Sequence, residues 1–180
     1  MKATGIVRRI DELGRVVIPK EIRRTQRIRQ GDALEIFTAG DGQVVFKKYS
    51  PLVELGQLSG VYAEVLAKNL GRPVLVCDRD AIVAATGQGK SQTMGREISD
   101  GVSKLLAMRA PYLAPEQFSR RLAAFEKGDG VLLCAAPIVV HGDIEGGVLL
   151  TGAERDPSPD AETARAVNIA AAFLARWMEE

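Results

Sequence analysis

Six arginines stand around one short turn. The run "RRIDELGRVVIPKEIRRTQR" puts Arg8 and Arg9 just before "DELG", Arg15 just after it, and Arg23, Arg24 and Arg27 a few residues further on. A guanidinium is a planar fork of N–H donors that matches the paired acceptors of a phosphate or a guanine edge. Several such groups on one small surface give an affinity for polyanions that falls steeply with salt. A basic face is also a common way of staying solvated, and residue types alone leave both readings open. The charge distribution sharpens the first. Residues 1–48 carry eleven Lys and Arg against six Asp and Glu, whereas residues 49–180 carry thirteen against seventeen, so a net charge of +1 hides a basic head on a mildly acidic body. A polyanion partner for the head and a different task for the body follow as expectations.

Other residue sets with chemical potential carry less. "ATGQGKS" at 85–91 ends in the Gly-Lys-Ser of a phosphate-binding loop, but the first glycine of that motif falls on Ala84 and "QTMGRE" is a poor immediate helix. A flexible loop is the expectation there. Cys77 and Cys134 each lie in an apolar, strand-like run, where a thiol lacks the exposure and nearby cations that catalysis requires. They read as reduced core thiols. His141 is the single histidine and sits in the turn "HGD" beside Asp143, with no second imidazole to share a metal and no activated serine to serve. No catalytic residue, metal site or cofactor is expected. The longest apolar run, "VLLCAAPIVV" at 131–140, is too short to span a bilayer, and no apolar stretch follows the charges of "MKATGIVRRI", so a soluble cytoplasmic protein is expected.

The elements that must position the arginines are short. "TGIVRRI", "RVVI", "ALEIF" and "QVVFKK" read as strands punctuated by "DELG", "QGD" and "AGDG". A two-turn helix lies between the second and third, with Pro19 in its first turn and Ile18, Ile22 and Ile28 as its apolar contacts. So few large apolar side chains bury too little surface to offset chain entropy, and the strands leave sheet edges unpaired. Pairing of two chains would remedy both defects, so a dimeric unit is expected.

From residue 52 the pattern changes. "LVELGQLSGVYAEVLAKNL" at 52–70 is helical, with Leu52, Leu55, Leu58, Tyr62, Val65, Leu66 and Asn69 on one side and Gly56, Gly60, Ala63 and Ala67 on another. Interior glycines weaken a helix by about 1 kcal/mol each, which hints at a close neighbour. "PVLVC" and "AIVAA" form a hairpin around "DRD", a helix is expected near 95–109, and "GVLLCAAPIVV" and "IEGGVLLTG" form a second hairpin around "HGD". Pro137 marks a bulge or an edge position. A last helix from Pro159 to Met178 should face inward with Ala164, Val167, Asn168, Ala171, Leu174 and Met178. Helix, hairpin, helix, hairpin, helix is an α+β layered domain of ordinary size.

"TGIVRRIDELGRVVIPKEIRRTQRIRQGDALEIF" followed by "VVFKKYSP" resembles the DNA-binding domain of the AbrB family of bacterial transition-state regulators, across nearly all of residues 1–51. The resemblance implies a mainly β swapped-hairpin fold in which two chains interleave into one barrel. It implies DNA contacts by Arg8, Arg15, Arg23 and Arg24, with Arg9 as a basic neighbour of that set. It also implies flexible basic loops that read DNA shape; the scarcity of Asn and Gln among these arginines fits such a readout.

The body, through its order of elements and "AAPIVVHGDIEGGVLL", is similar to a GAF domain. The whole arrangement resembles a family of sporulation regulators that activate or repress genes in the forespore. That implies two domains, 1–50 for DNA binding and dimerisation and 51–180 for regulation and oligomerisation, in a nucleoid-associated homotetramer built as a dimer of dimers. Double-stranded DNA and further copies of the chain are the expected partners. A small ligand could sit near residues 87–115, although a purely structural GAF-like body is an equal alternative. Coupling of such a ligand to DNA would have to run through the helix at 52–70, which follows "VVFKK" almost without a linker. Two readings compete from other classes: an antitoxin that uses the same head to bind DNA and a toxin, and, less favoured, a GAF-fold thiol reductase.

Overall fold

The computed structural model describes residues 4–87 and 89–180. The chain divides into two compact units, one ending at Tyr49 and the other beginning at Ser50.

The head holds one short helix, α1 (Lys20–Thr25), and one antiparallel hairpin, β1 (Leu34–Thr38) and β2 (Val44–Lys48), in which Ile36 faces Phe46 and Phe37 faces Val45. Pro19 stands at the N-cap of α1, where its missing N–H removes no helical bond. The strands expected over "TGIVRRI" and "RVVI" do not form: residues 4–10 and 15–18 lie in no ladder. A strand needs a neighbouring edge, and one copy of this chain offers a single five-residue ladder, which is marginal by itself in water. The apolar side chains of these segments are correspondingly uncovered. Val7 is 83% exposed, Leu13 74% and Val17 71%, and Ile36, Phe37, Val44 and Phe46 of the hairpin are exposed too. Among the head's described residues only Pro19 is buried.

The body begins with a helix broken once, α2 (Pro51–Glu54) and α3 (Gly56–Leu70), with Leu55 between them. A five-stranded antiparallel sheet follows: β3 (Val74–Cys77), β4 (Ile82–Ala85), β5 (Tyr112–Leu113), β6 (Val131–Val140) and β7 (Asp143–Gly152), in the order β4-β3-β7-β6-β5. Between β4 and β5 lie a one-turn helix, α4 (Lys90–Thr93), and α5 (Asp100–Ala107). The helix expected from residue 95 therefore starts five residues later. Ser99 ends the preceding extended segment and caps α5, its hydroxyl accepting from the Val102 N–H at 3.1 Å. α6 (Ala161–Met178) closes the chain, capped by Asp160, whose carboxylate accepts from the Thr163 N–H at 2.8 Å.

Both faces of the sheet are covered, which explains why its strands read as continuous apolar runs and not as alternating ones. Val74, Val76, Ile138, Val148 and Leu150 pack toward α2, α3 and α6. Leu75, Cys77, Ile82, Ala135 and Leu149 pack toward α5 and Phe125. The helix faces differ from expectation in detail. α3 turns Ser59, Ala63 and Leu66 inward and leaves Val61 and Val65 exposed, because small side chains let a helix lie close on a sheet. On α6, Val167, Ala170, Ala171 and Leu174 are buried and Asn168 is exposed. Pro137 lies opposite Gly147 in a part of β6 beyond the reach of β5, an edge position, while the ladder's irregularities fall at Leu132/Cys134 and Ile138/Val139.

Candidate nucleic-acid interface

The turn that organises the arginines is built around Asp11. The Asp11 N–H donates to the Arg15 carbonyl at 3.0 Å, and the Gly14 N–H donates to the Asp11 carbonyl at 2.9 Å. Gly14 adopts φ +75°, a conformation that a side chain would strain. Asp11 Oδ1 accepts from the Leu13 and Arg15 N–H groups at 3.0 and 2.8 Å, and Oδ2 accepts from Arg15 Nε at 2.8 Å. These bonds, those from the Arg15 backbone first, hold the Asp11 carboxyl below the usual carboxylate range. Arg15 is thus carried outward at the exit of the turn, with its side chain 70% exposed.

Arg8 and Arg9 lie exposed on the segment entering that turn. Arg23 and Arg24 occupy the last turn of α1, both exposed, where cations complement the helix dipole. The Arg23 carbonyl accepts from the Ile28 N–H at 2.7 Å, which folds the chain back immediately after the helix. Lys48 fastens that return: its ammonium donates to the Arg27 carbonyl at 3.0 Å and lies 3.2 Å from Asp32 Oδ2. Of the six arginines near the turn, the five that the resemblance implicates stand on three exposed stretches of one small unit, while Arg27 is half-buried. Reading the sequence missed Asp11. Its signal was present, since Asp three residues before Gly is a favoured arrangement for a hydrogen-bonded turn.

The body's candidate residues have other surroundings. Cys77 is fully buried and its thiol donates to the Gly147 carbonyl at 3.6 Å; burial pushes its pKa up. Burial pushes that of Cys134 up to about 11. Neither thiol is available as a thiolate at neutral pH. His141, with φ +48°, forms with Gly142 the two-residue turn between β6 and β7. Thr86, Gly87 and Gly89 lie in the expected loop, and Lys90 and Ser91 open the single turn of α4. Among the described residues no helix is long and apolar enough to cross a membrane, and no group of three His, Cys, Asp or Glu could hold a metal ion.

Residues 54–179 match the family described as stage V sporulation protein T C-terminal, transcription factor, and residues 7–52 match that described as antidote-toxin recognition MazE, bacterial antitoxin. The chain is 46% identical to stage V sporulation protein T of Bacillus subtilis (strain 168), over all of both proteins. Its first quarter is similar to the N-terminal DNA recognition domain of the Bacillus subtilis transcription-state regulator AbrB, 61% identical over 28% of this chain and 94% of that one. The identity, and not the TM-score of 0.25, carries that likeness. The body shares its fold with the GAF domain of A. aeolicus nlh2, with a TM-score of 0.51 at 17% identity, covering 74% of this chain and 87% of that one. A head alike in sequence to the AbrB transition state regulatory protein, on a body that matches a transcription-factor family, defines a DNA-binding transcription regulator. The chain belongs to the stage V sporulation protein T family, regulators of transcription in sporulation.

Proposed function

We propose that Arg8, Arg15, Arg23 and Arg24, with Arg9 beside them, contact duplex DNA on a head completed by two chains. One observation carries this reading: the head exposes its arginines and its apolar side chains together, so its folding and its binding surface call for the same second copy. Interleaving would give residues 4–10 and 15–18 the edges they lack and would double the cationic set. Contacts to phosphates and to groove shape, in place of a base-by-base code, suit arginines unaccompanied by Asn or Gln. In a salt series, replacing Arg23 and Arg24 with Ala should weaken binding to selected and unrelated duplexes alike and lower the salt slope by about one ion per lost phosphate contact. Unchanged affinity would remove these residues from the interface.

The body would pair as well, making a dimer of dimers. Tyr62 stacks on Phe173 with ring centroids 4.9 Å apart, Trp177 follows at 6.0 Å, and Val61, Val65 and Ile169 are exposed on the same two helices. The space around Gly56 and Gly60 is open, so another helix can approach closely. Such an assembly would work in the cytoplasm on the nucleoid, activating or repressing forespore genes.

A ligand held on the α5 face of the body would reach the head through α2 and α3, since only Tyr49 and Ser50 separate β2 from α2. A flexible spacer after Tyr49 should abolish any ligand-dependent change in DNA affinity while leaving basal binding; a retained response would refute this route. The antitoxin description attached to residues 7–52 favours a second reading, in which the head also binds a toxin. The folded body in place of a binding tail weighs against it, and a head that captures no toxin of that class in a pull-down would dispose of it.

A further inference from the structure

The Asp11 carboxylate divides its work between its two oxygens. Oδ1 closes the turn through the Leu13 and Arg15 N–H groups, whereas Oδ2 accepts, among the described residues, from the Arg15 side chain through Nε at 2.8 Å. The bond through Nε uses one of the five guanidinium N–H donors, restricts the side chain's rotation, and leaves the donors of the terminal nitrogens available on a side chain that is 70% exposed. An exposed arginine otherwise samples many rotamers, and ordering it on DNA costs free energy at the moment of binding.

We propose that Asp11 is a positioning residue for DNA recognition: its Oδ2 holds the Arg15 fork in one orientation, so that the terminal nitrogens meet a preferred phosphate or base edge and the head discriminates among duplexes. This rests on the reading that Arg15 touches DNA. A carboxylate next to bound DNA is electrostatically unfavourable, so Asp11 gives up general affinity in exchange for selectivity. The two effects have opposite signs, and they can be separated.

The test uses the full chain, one duplex that it selects from a random pool and one unrelated duplex of equal length. Asp11→Asn is the informative variant, because an amide oxygen can still accept the Leu13 and Arg15 N–H groups while the amide nitrogen cannot accept from Nε. Binding to the unrelated duplex should tighten, and the ratio of selected to unrelated affinity should fall by about tenfold, the order expected for losing one oriented contact. In an Arg15→Ala background, Asp11→Asn should leave the ratio unchanged. Arg15→Lys, which keeps the charge and not the fork, should lose the ratio while keeping the salt slope, and it tests the same idea should the Asn variant fold poorly. An unaltered ratio in Asp11→Asn or Arg15→Lys would overturn the proposal, as would an equal loss with Arg15 absent. An Arg15→Ala protein with unchanged affinity for both duplexes would instead remove Arg15 from the interface and the proposal with it.

Discussion

Two aspartates do similar local work at distant points of the chain. Asp11 closes the turn that bears Arg15, and Asp160 caps α6 through the Thr163 N–H at 2.8 Å. In both, hydrogen bonds to the charged form lower the carboxyl's pKa, with the Arg15 backbone foremost at Asp11 and the Thr163 backbone at Asp160. A depressed folded-state value means that the stabilisation is present in full above the ordinary carboxylate range and is lost as pH falls through the lowered value. Replacing Asp160 with Ala should therefore lower the Tm by a few degrees at neutral pH, with the gap to the parent closing as pH falls below the ordinary carboxylate range. Thermal melts of both proteins across that range would check this, and a gap independent of pH would contradict it. Asp11 and Asp160 differ in legibility. An aspartate before a long periodic helix marks a cap, whereas Asp11 lies in a run of charges where a turn can be read but a bond to one particular arginine cannot.

Elements were legible wherever burial on one or both sides left a simple pattern. The strands β3, β6 and β7 stand out because both faces of the sheet are covered, and the turns between them carry the chemistry that reversal requires. Helix faces were harder, since α3 has two apolar stripes and the inward one is the less bulky: Ser59 and Ala63 are buried while Val65 is not. In the head, "TGIVRRI" and "RVVI" have strand composition but no partner edge within one chain, so composition and structure part there. The seating of α2 depends on Gly146. A Cβ at that position would fall on the Cys77 carbonyl oxygen and within 2.6 Å of Leu52 Cδ1. Gly146→Ala should cost about 3 kcal/mol through overpacking, as much as removing the buried Leu174 side chain from the far end of α6. Urea melts would test the pair; a Gly146→Ala protein with parental stability would mean that the Cys77–Asp78 backbone and Leu52 can both retreat at no cost.

At the level of the whole molecule, a well-packed body is joined by two residues to a head whose described residues bury only Pro19. A fragment of residues 1–50 should be largely unfolded at low concentration and gain strand signal in circular dichroism as it associates; a folded monomer at micromolar concentration would refute the shared barrel. In the full chain, pairing of bodies would raise the effective concentration of heads for each other. The exposed Val7, Leu13 and Val17 then acquire a meaning in the cell beyond assembly. An unpaired copy displays the kind of uncovered, loosely held segment that proteases engage first. Where two heads pair, these segments would be covered, so protease sensitivity at residues 4–18 would report the unpaired fraction of the protein.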